Sequence, residues 1–325
     1  MKIVFMGTPD FAASPLEALV EAGYEVVLAV TQPDREKGRG KALSMSPVKE
    51  CALKYGIPVF QPVKIRMEEA VSKLREYEAD LFVVAAFGQI LSREILEMPR
   101  LGCVNIHASL LPKYRGASPI QWAILNGEEK TGITIMRMDE GVDTGDILYR
   151  KEIRIEKEET GGSLFDKLTK LGADALLEAL PGIENGSLKG QAQEEAEATH
   201  VGKIEKEMGR IDWGRKASLI ERSVRGLNPW PSAYTTIRGK TLKIWKSREA
   251  NMTDVSENVS GSGLSVKEER PGCVLSVTKN EFTVLTGEGA LMVLEVQLEG
   301  KKRMSVHDFL LGFELAPGIV LGTDR

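Results

Sequence analysis

Residues 2–31 read KIVFMGTPDFAASPLEALVEAGYEVVLAVT, and this stretch decides the fold. The run 2–6 is short and apolar, which predicts a buried strand. Ser14-Pro15-Leu16-Glu17 predicts a helix start: Ser14 can cap it, Pro15 suits the first helical position and Glu17 completes a capping box. Gly23 fits the stop, and residues 25–31 read as the next strand. Two strands separated by one helix point to a parallel pair, because parallel strands need a crossover between them.

Outward from there the alternation continues. Ser46-Pro47 begins a second helix by the same logic, ending near Gly56. Residues 80–87 and 102–107 are strongly apolar strand patterns, and Ser118-Pro119 opens a helix that Gly127 stops. Residues 131–138 and 146–155 read as strands, and 162–180 as a long amphipathic helix. The expected fold is α/β, a Rossmann-like, mostly parallel sheet with helices on both faces. Ligands of such sheets sit beyond the carboxyl ends of the strands.

The character of the chain changes after this. Residues 184–207 are polar and Gln/Glu-rich, which reads as a linker. Short β-branched runs follow at 233–237, 241–245, 272–277, 282–285 and 291–296, the pattern of a small all-β, OB-like barrel. Residues 249–270 are rich in Ser, Asn and Glu and read as a mobile loop. The expected organisation is a catalytic domain over 1–189, a linker over 190–206 and a β domain over 207–325.

Bulk properties narrow the function. A length of 325 residues suits two domains. A net charge of −4 excludes a generally basic nucleic-acid coat, so any RNA contact must be local. Cys51, Cys103 and Cys273 are far apart and form no CxxC pair, which supports neither a zinc site nor a disulfide framework. No signal-peptide layout precedes the first strand and no apolar run is long enough for a bilayer. A cytoplasmic protein is the expectation.

Three segments bear on chemistry. Gly7-Thr8-Pro9-Asp10 follows the first strand but lacks the GxGxxG spacing, and Pro9 removes a backbone donor. It reads as a tight turn, and a nicotinamide site is disfavoured. Asn105 and His107 stand two apart at the end of an apolar strand and therefore face the same way. An amide and an imidazole at the mouth of a sheet can supply an oxyanion donor and a proton carrier. A structural histidine capping the strand end is the other reading. Residues 139–146, DEGVDTGD, form a Gly-broken acidic turn whose spacing does not match an EF-hand loop. A solvated turn and a carboxylate that orients a nearby histidine both remain open.

Taken jointly, Asn105, His107, Ser109-Leu110-Leu111-Pro112 and Asp143 resemble the signature of the folate-dependent formyltransferases. Gly7-Thr8-Pro9-Asp10-Phe11, Gln32-Pro33-Asp34-Arg35 running into Gly38-Arg39-Gly40-Lys41, and Asn228-Pro229-Trp230-Pro231-Ser232-Ala233 are similar to the branch whose acceptor is methionyl-tRNA. The resemblance implies transfer of a formyl group from 10-formyltetrahydrofolate to the free amine of methionyl-initiator tRNA, supplying translation initiation. It implies Asn105, His107 and Asp143 as catalytic residues, with Asp143 positioning His107. It implies folate contacts from Ser109, Leu110, Leu111 and Pro112, from the loop Phe87, Gly88, Gln89, Ile90 and Leu91, and from Asp139 and Gly141. Only the 249–270 insert looks longer than the family pattern. The alternative acceptor is an amino sugar nucleotide or another small amine.

The chemistry suits these residue types. An α-amine has a reference pKa of about 7.7–8.0, so a useful fraction is a neutral nucleophile near pH 7 and no metal is required. For RNA, residues 34–49 carry a net +3, with Arg35, Lys37, Arg39 and Lys41 in a Gly-rich run. Residues 210–248 hold ten Lys/Arg against two acids, a local net of +8, with Trp213, Trp230, Tyr234 and Trp245 interleaved. Lys240, Lys243 and Lys246 are the expected RNA contacts there. The basic second domain argues against the small-amine alternative. A monomer without a membrane partner is expected.

Overall fold

The computed structural model describes residues 1–37, 42–251 and 270–323. Arg39 and Lys41, and most of the 249–270 segment, lie outside the described residues. The chain forms two compact units. The first holds Met1–Ile120, Glu129–Ile155 and Ser163–Gly202; the second holds Gln121–Glu128, Glu156–Gly162 and Lys203–Arg325.

Unit 1 begins with β1 (Lys2–Gly7), α1 (Asp10–Glu21) and β2 (Glu25–Val30). A hairpin of β3 (Arg35–Lys37) and β4 (Ala42–Ser44) precedes α2 (Pro47–Lys54), β5 (Val59–Phe60) and α3 (Glu68–Arg75). Next come β6 (Leu81–Ala85), α4 (Arg93–Leu96), β7 (Cys103–His107), the short β8 (Arg115–Gly116) and α5 (Pro119–Leu125), whose residues from Gln121 on fall in unit 2. After them run β9 (Lys130–Arg137), β10 (Ile147–Arg154), α6 (Gly161–Glu184) and β11 (His200–Val201). The main sheet has seven strands in the order β10-β9-β7-β6-β1-β2-β5. Pairing is parallel from β5 through β7 and antiparallel at β7–β9 and β9–β10. The mostly parallel α/β sheet is the expected one.

Both faces of β1 are buried, since Ile3 to Met6 are fully covered. Val4 and Met6 pack with Leu28, Val30, Phe82 and Val84 in one core. Each fully buried side chain of this size contributes about 1.5–3 kcal/mol of transfer free energy. Gly172 lets α6 lie close to the sheet: a Cβ there would be 3.3 Å from Ile106 Cγ2.

Two helix ends differ from expectation. The first helix starts at Asp10, one turn before the expected Ser14 cap, and carries Pro15 inside it. Its buried stripe begins with Phe11 and Ala12 and continues through Pro15, Leu16 and Leu19, so burial sets the start rather than the cap residue. Gly7 belongs to the tight turn: a Cβ there would be 2.5 Å from Ala12 Cβ. Likewise α6 runs past Pro181 to bury Ile183. At α2 the cap is as read, with Ser46 Oγ accepting from Lys49 N at 3.1 Å and Pro47 at the first turn.

Residues 191–201, within the stretch expected to be a linker, are hydrogen-bonded into unit 1. Gln191 bridges Ile147, and β11 pairs with β8 in parallel. Most polar side chains here face outward while the backbone pairs, so composition alone hides the pairing.

Unit 2 contains α7 (Ala217–Gly226), β12 (Ala233–Ile237), β13 (Lys240–Glu249), β14 (Val274–Val277), β15 (Phe282–Leu285), β16 (Ala290–Leu298), β17 (Met304–Ser305) and α8 (Val306–Gly312). The strands make one six-stranded antiparallel sheet, in the order β12-β13-β16-β15-β14 with β17 on β16. This is the expected β domain, with two helices added: Ile220, Val224, Val306 and Phe309 join the strands in its core.

Candidate active site

The carboxyl end of β7 carries the centre. Val104 and Ile106 face the interior, and the alternation sends Asn105 and His107 to the other side. Asp143 comes from the acidic turn after β9. Its Oδ2 lies 3.6 Å from His107 Nδ1, and Asn105 Nδ2 stands 3.4 Å from its Oδ1. The structure thus brings together the three polar residues singled out in the sequence.

The surroundings hold this arrangement. His107 is nearly buried, at 6% exposure, and its Nε2 is 2.9 Å from Tyr114 O. A carbonyl only accepts, so Nε2 carries the hydrogen in this contact and Nδ1 faces the carboxylate. Gly116 N donates to Asp143 Oδ2 at 2.8 Å. Asp143 itself has φ 56, in the left-handed region, and so has Tyr114 at φ 63. Non-glycine residues in that region cost about 1–3 kcal/mol each and persist where neighbours over-determine them.

The acidic turn is tight. Asp139 Oδ1 accepts from Gly141 N at 3.0 Å and from Thr144 Oγ1 at 2.7 Å. A Cβ on Gly141 would be 2.0 Å from Thr144 Oγ1, and one on Gly145 would be 1.9 Å from Arg137 O. Both glycines are required by close approach.

The residues from 109 to 112 form a buttressed turn beside β9. Ser109 is buried, its Oγ donates to Lys113 O at 2.6 Å and its carbonyl accepts from Thr134 Oγ1 at 2.6 Å. Leu111 N donates to the same Thr134 Oγ1 at 3.1 Å. Leu111 packs with Met136 and Ile147, Pro112 is buried and Leu110 is partly exposed.

The loop after β6 divides into two kinds of residue. Phe87 and Leu91 are core side chains. Gln89 is a tether: Ile65 N donates to its Oε1 at 2.8 Å, and its Nε2 donates to Pro62 O at 3.2 Å. Ile90 is 64% exposed. Gly88, at φ +77, leaves room for Gln32, whose Nε2 would be 2.6 Å from a Cβ there. A cavity of about 520 Å³ opens here, lined by Arg35, Lys64, Arg66, Gly88, Gln89 and Ile90. Lys64 and Arg66 escaped the sequence reading, because a pair of cations between an irregular strand and a helix has no spacing signal.

At the base of the β3–β4 hairpin, Asp34 accepts from Lys49 Nζ at 2.5 Å and from Gln61 Nε2 at 2.7 Å. Those bonds hold its carboxyl below the usual carboxylate range. Arg35 is exposed and bonds Gln32. At the far end of β7, burial pushes the Cys103 thiol up to about 12, so it stays a protonated core group at neutral pH. All three cysteines are free.

In unit 2, the outward side of β13 carries Lys243, Trp245 and Lys246. Lys243 Nζ is 5.6 Å and Arg303 Cζ 5.1 Å from the Trp245 ring centre. Lys246 pairs with Glu158 at 3.3 Å, and Lys240 stands exposed at the strand start. Arg303, outside the basic tract, was missed. Several cations of the tract are already paired: Arg225 with Glu221 at 2.5 Å, Lys216 with Glu288 at 2.7 Å and Arg248 with Glu281 at 3.7 Å. Among the described residues, no group of three or more His, Cys, Asp or Glu could hold a metal, and no helix is long and apolar enough to cross a membrane.

Comparison with known proteins adds to this geometry. Residues 1–180 match the formyl transferase family and residues 203–314 match the formyl transferase C-terminal domain. The chain is 54% identical over 318 residues to the methionyl-tRNA formyltransferase of Agathobacter rectalis, covering 98% of each chain. It is 52% identical over 322 residues to the protein of that name from Lachnospira eligens, covering 99% of this chain and 100% of the relative. In fold it is similar to HypX from Aquifex aeolicus, solved in complex with tetrahydrofolic acid. The TM-score is 0.61 at 19% identity, over 96% of this chain and 47% of that one.

Proposed function

The chain belongs to the formyl transferase family, and on that footing we propose that it moves the formyl group of 10-formyltetrahydrofolate onto the free amine of methionyl-initiator tRNA, yielding formylmethionyl-tRNA for translation initiation. One observation carries this reading. Asn105, His107 and Asp143 converge at the carboxyl end of the sheet, in a chain whose relatives bearing that activity match it from end to end.

The neutral amine attacks the formyl carbon, forming a C–N bond and an oxyanion. Asn105 Nδ2 and, once protonated at Nδ1, His107 donate to that oxygen. The amine then loses its proton through His107 or a water held by Asp143. The folate nitrogen takes up a proton as its bond to the formyl carbon breaks, and tetrahydrofolate leaves. Asp143 keeps the imidazole aimed, a role its contact with Nδ1 supports.

The folate lies against Ser109 to Pro112, the loop from Phe87 to Leu91, and Asp139 and Gly141. Of that loop, Gly88 and Ile90 offer surface, while Phe87, Gln89 and Leu91 shape it from behind. Residues 1–189 serve as the folate domain, and residues 207–325, joined through 190–206, hold the tRNA. Arg35, Lys37, Arg39 and Lys41 meet the acceptor end, and Lys240, Lys243 and Lys246 meet backbone phosphates. The protein works in the cytoplasm as a monomer and needs no metal.

The test is formation of formylmethionine from charged initiator tRNA. With 10-formyltetrahydrofolate the purified chain should formylate the tRNA, and with 5-methyltetrahydrofolate it should not. Absence of formylmethionine in the first case would overturn the reading.

A further inference from the structure

We propose that residues 191–201 act as a strap that positions Asp143 and His107 for the transfer, with Gln193 as its principal positioning residue. This deepens the reading above and rests on Asn105, His107 and Asp143 being the reacting site's polar groups.

The strap reaches the site along two routes. The first is direct. Gln193 Nε2 donates to Asp143 O and to Gly145 O, both at 2.8 Å. One amide thus ties the carbonyl of Asp143, where φ is 56, to that of Gly145 two residues on. The amide's orientation is fixed by its other end. Gln193 Oε1 accepts from Arg115 Nε at 3.1 Å, and a guanidinium can only donate, so the NH₂ must face the carbonyls. Arg115 is 1% exposed, and its Nη1 is held by Glu195 of the strap at 2.9 and 3.1 Å.

The second route runs through residues 114–117. On one side this segment is bonded to the strap: Tyr114 N donates to Thr199 Oγ1 at 2.8 Å, Arg115 N to Thr199 O at 2.8 Å and Ala117 N to Val201 O at 3.0 Å. On the other side it supplies the site: Tyr114 O faces His107 Nε2, and Gly116 N donates to Asp143 Oδ2. A two-residue strand has no stability alone, so the strap is what holds these partners in place. Gly116 lets the strap approach, since a Cβ there would be 2.5 Å from Val201 O.

A rigid clamp on two polar groups matters because misplacement of about 1 Å costs about 100-fold in rate. The experiment is a double-mutant cycle on the full chain, with single-turnover formylation and steady-state KM for both substrates. Gln193→Ala should lower turnover by about 100-fold while KM for folate and tRNA stays within about twofold. Gln193→Glu keeps the length but can only accept, so it should lose at least as much. In an Asp143→Asn background the further loss from Gln193→Ala should vanish, because a residue that acts through another has nothing left to act on. A structural role alone would give losses that multiply.

Thr199→Val provides an independent arm: it unhooks Tyr114, and its loss should disappear in a His107→Ala background. Undiminished turnover in Gln193→Ala, or multiplying losses in either cycle, would overturn the strap. If Asp143→Asn itself kept full turnover, the site reading would fall and the strap with it, an outcome distinct from an Asp143→Asn that is inactive beside a Gln193→Ala that is not.

Discussion

The end of β7 and the basic tract 210–248 both stood out in the sequence, and the structure treats them differently. At β7, a two-residue spacing places Asn105 and His107 on one face, and a carboxylate from a distant turn closes on His107 at 3.6 Å and on Asn105 at 3.4 Å. In the tract, several of the ten cations are already paired. Arg225, Lys216 and Arg248 spend their charge on Glu221, Glu288 and Glu281. Lys243 stands beside Trp245, joined there by Arg303 from outside the tract, which is itself bonded to Glu295. Spacing on a strand fixes direction, whereas a local charge sum fixes only composition.

The contrast can be pressed hardest at β7. Asn105→Ala and His107→Ala should each reduce turnover by about 100- to 1000-fold, the usual cost of losing an oxyanion donor. KM for tRNA should hardly move, and steady-state kinetics at saturating folate would register the split. A raised KM with normal turnover would make these residues binding groups, no different in kind from the tract.

Gly116→Ala comes next. The residue sits at φ +100 with no room for a Cβ. Strain in that region costs about 1–3 kcal/mol, and displacement of the strap should lower turnover as well. Thermal unfolding and formylation rate should fall together. A stable Gly116→Ala with full activity would loosen the link between the strap and the site.

Within the tract the effects should be smaller and should sort by pairing. Arg225 bonds Glu221 and, through Nη1, Glu159 O at 3.0 Å. Arg225→Ala should cost about 1–3 kcal/mol of stability, the worth of charge-assisted bonds, without changing the salt dependence of tRNA binding. Lys243→Ala should do the reverse: stability is kept, tRNA affinity falls a few-fold and the salt slope drops by about one ion. Binding isotherms at several salt concentrations separate the two. Equal salt slopes for both variants would mean that pairing does not predict which cations meet RNA.

The same physical distinction explains what was readable. The Ser46-Pro47 cap, the stops at Gly23 and Gly127 and the alternation of β7 are local, and each is set by a residue's own conformational needs. The start of α1 was misplaced because burial of Phe11 and Ala12 outweighed a good cap at Ser14. Helix α7 was overlooked although Ala217, Ile220 and Val224 carry a helical period, since the short β-branched runs nearby dominated the pattern. The strap was unreadable for a different reason. Gln193 acts on carbonyls far away in the chain, and a Gln/Glu-rich stretch most of whose side chains face water has the composition of a linker whether or not its backbone is paired.

The central claim, that this site serves an aminoacyl-tRNA amine, is tested most directly by letting acceptors compete. Methionyl-initiator tRNA and a nucleotide-linked amino sugar, at equal concentration in one vessel with 10-formyltetrahydrofolate, would be followed by mass spectrometry of both products. Formylmethionyl-tRNA is the expected product, with the amino sugar left unmodified. Formylation of the sugar in preference to the tRNA would contradict it.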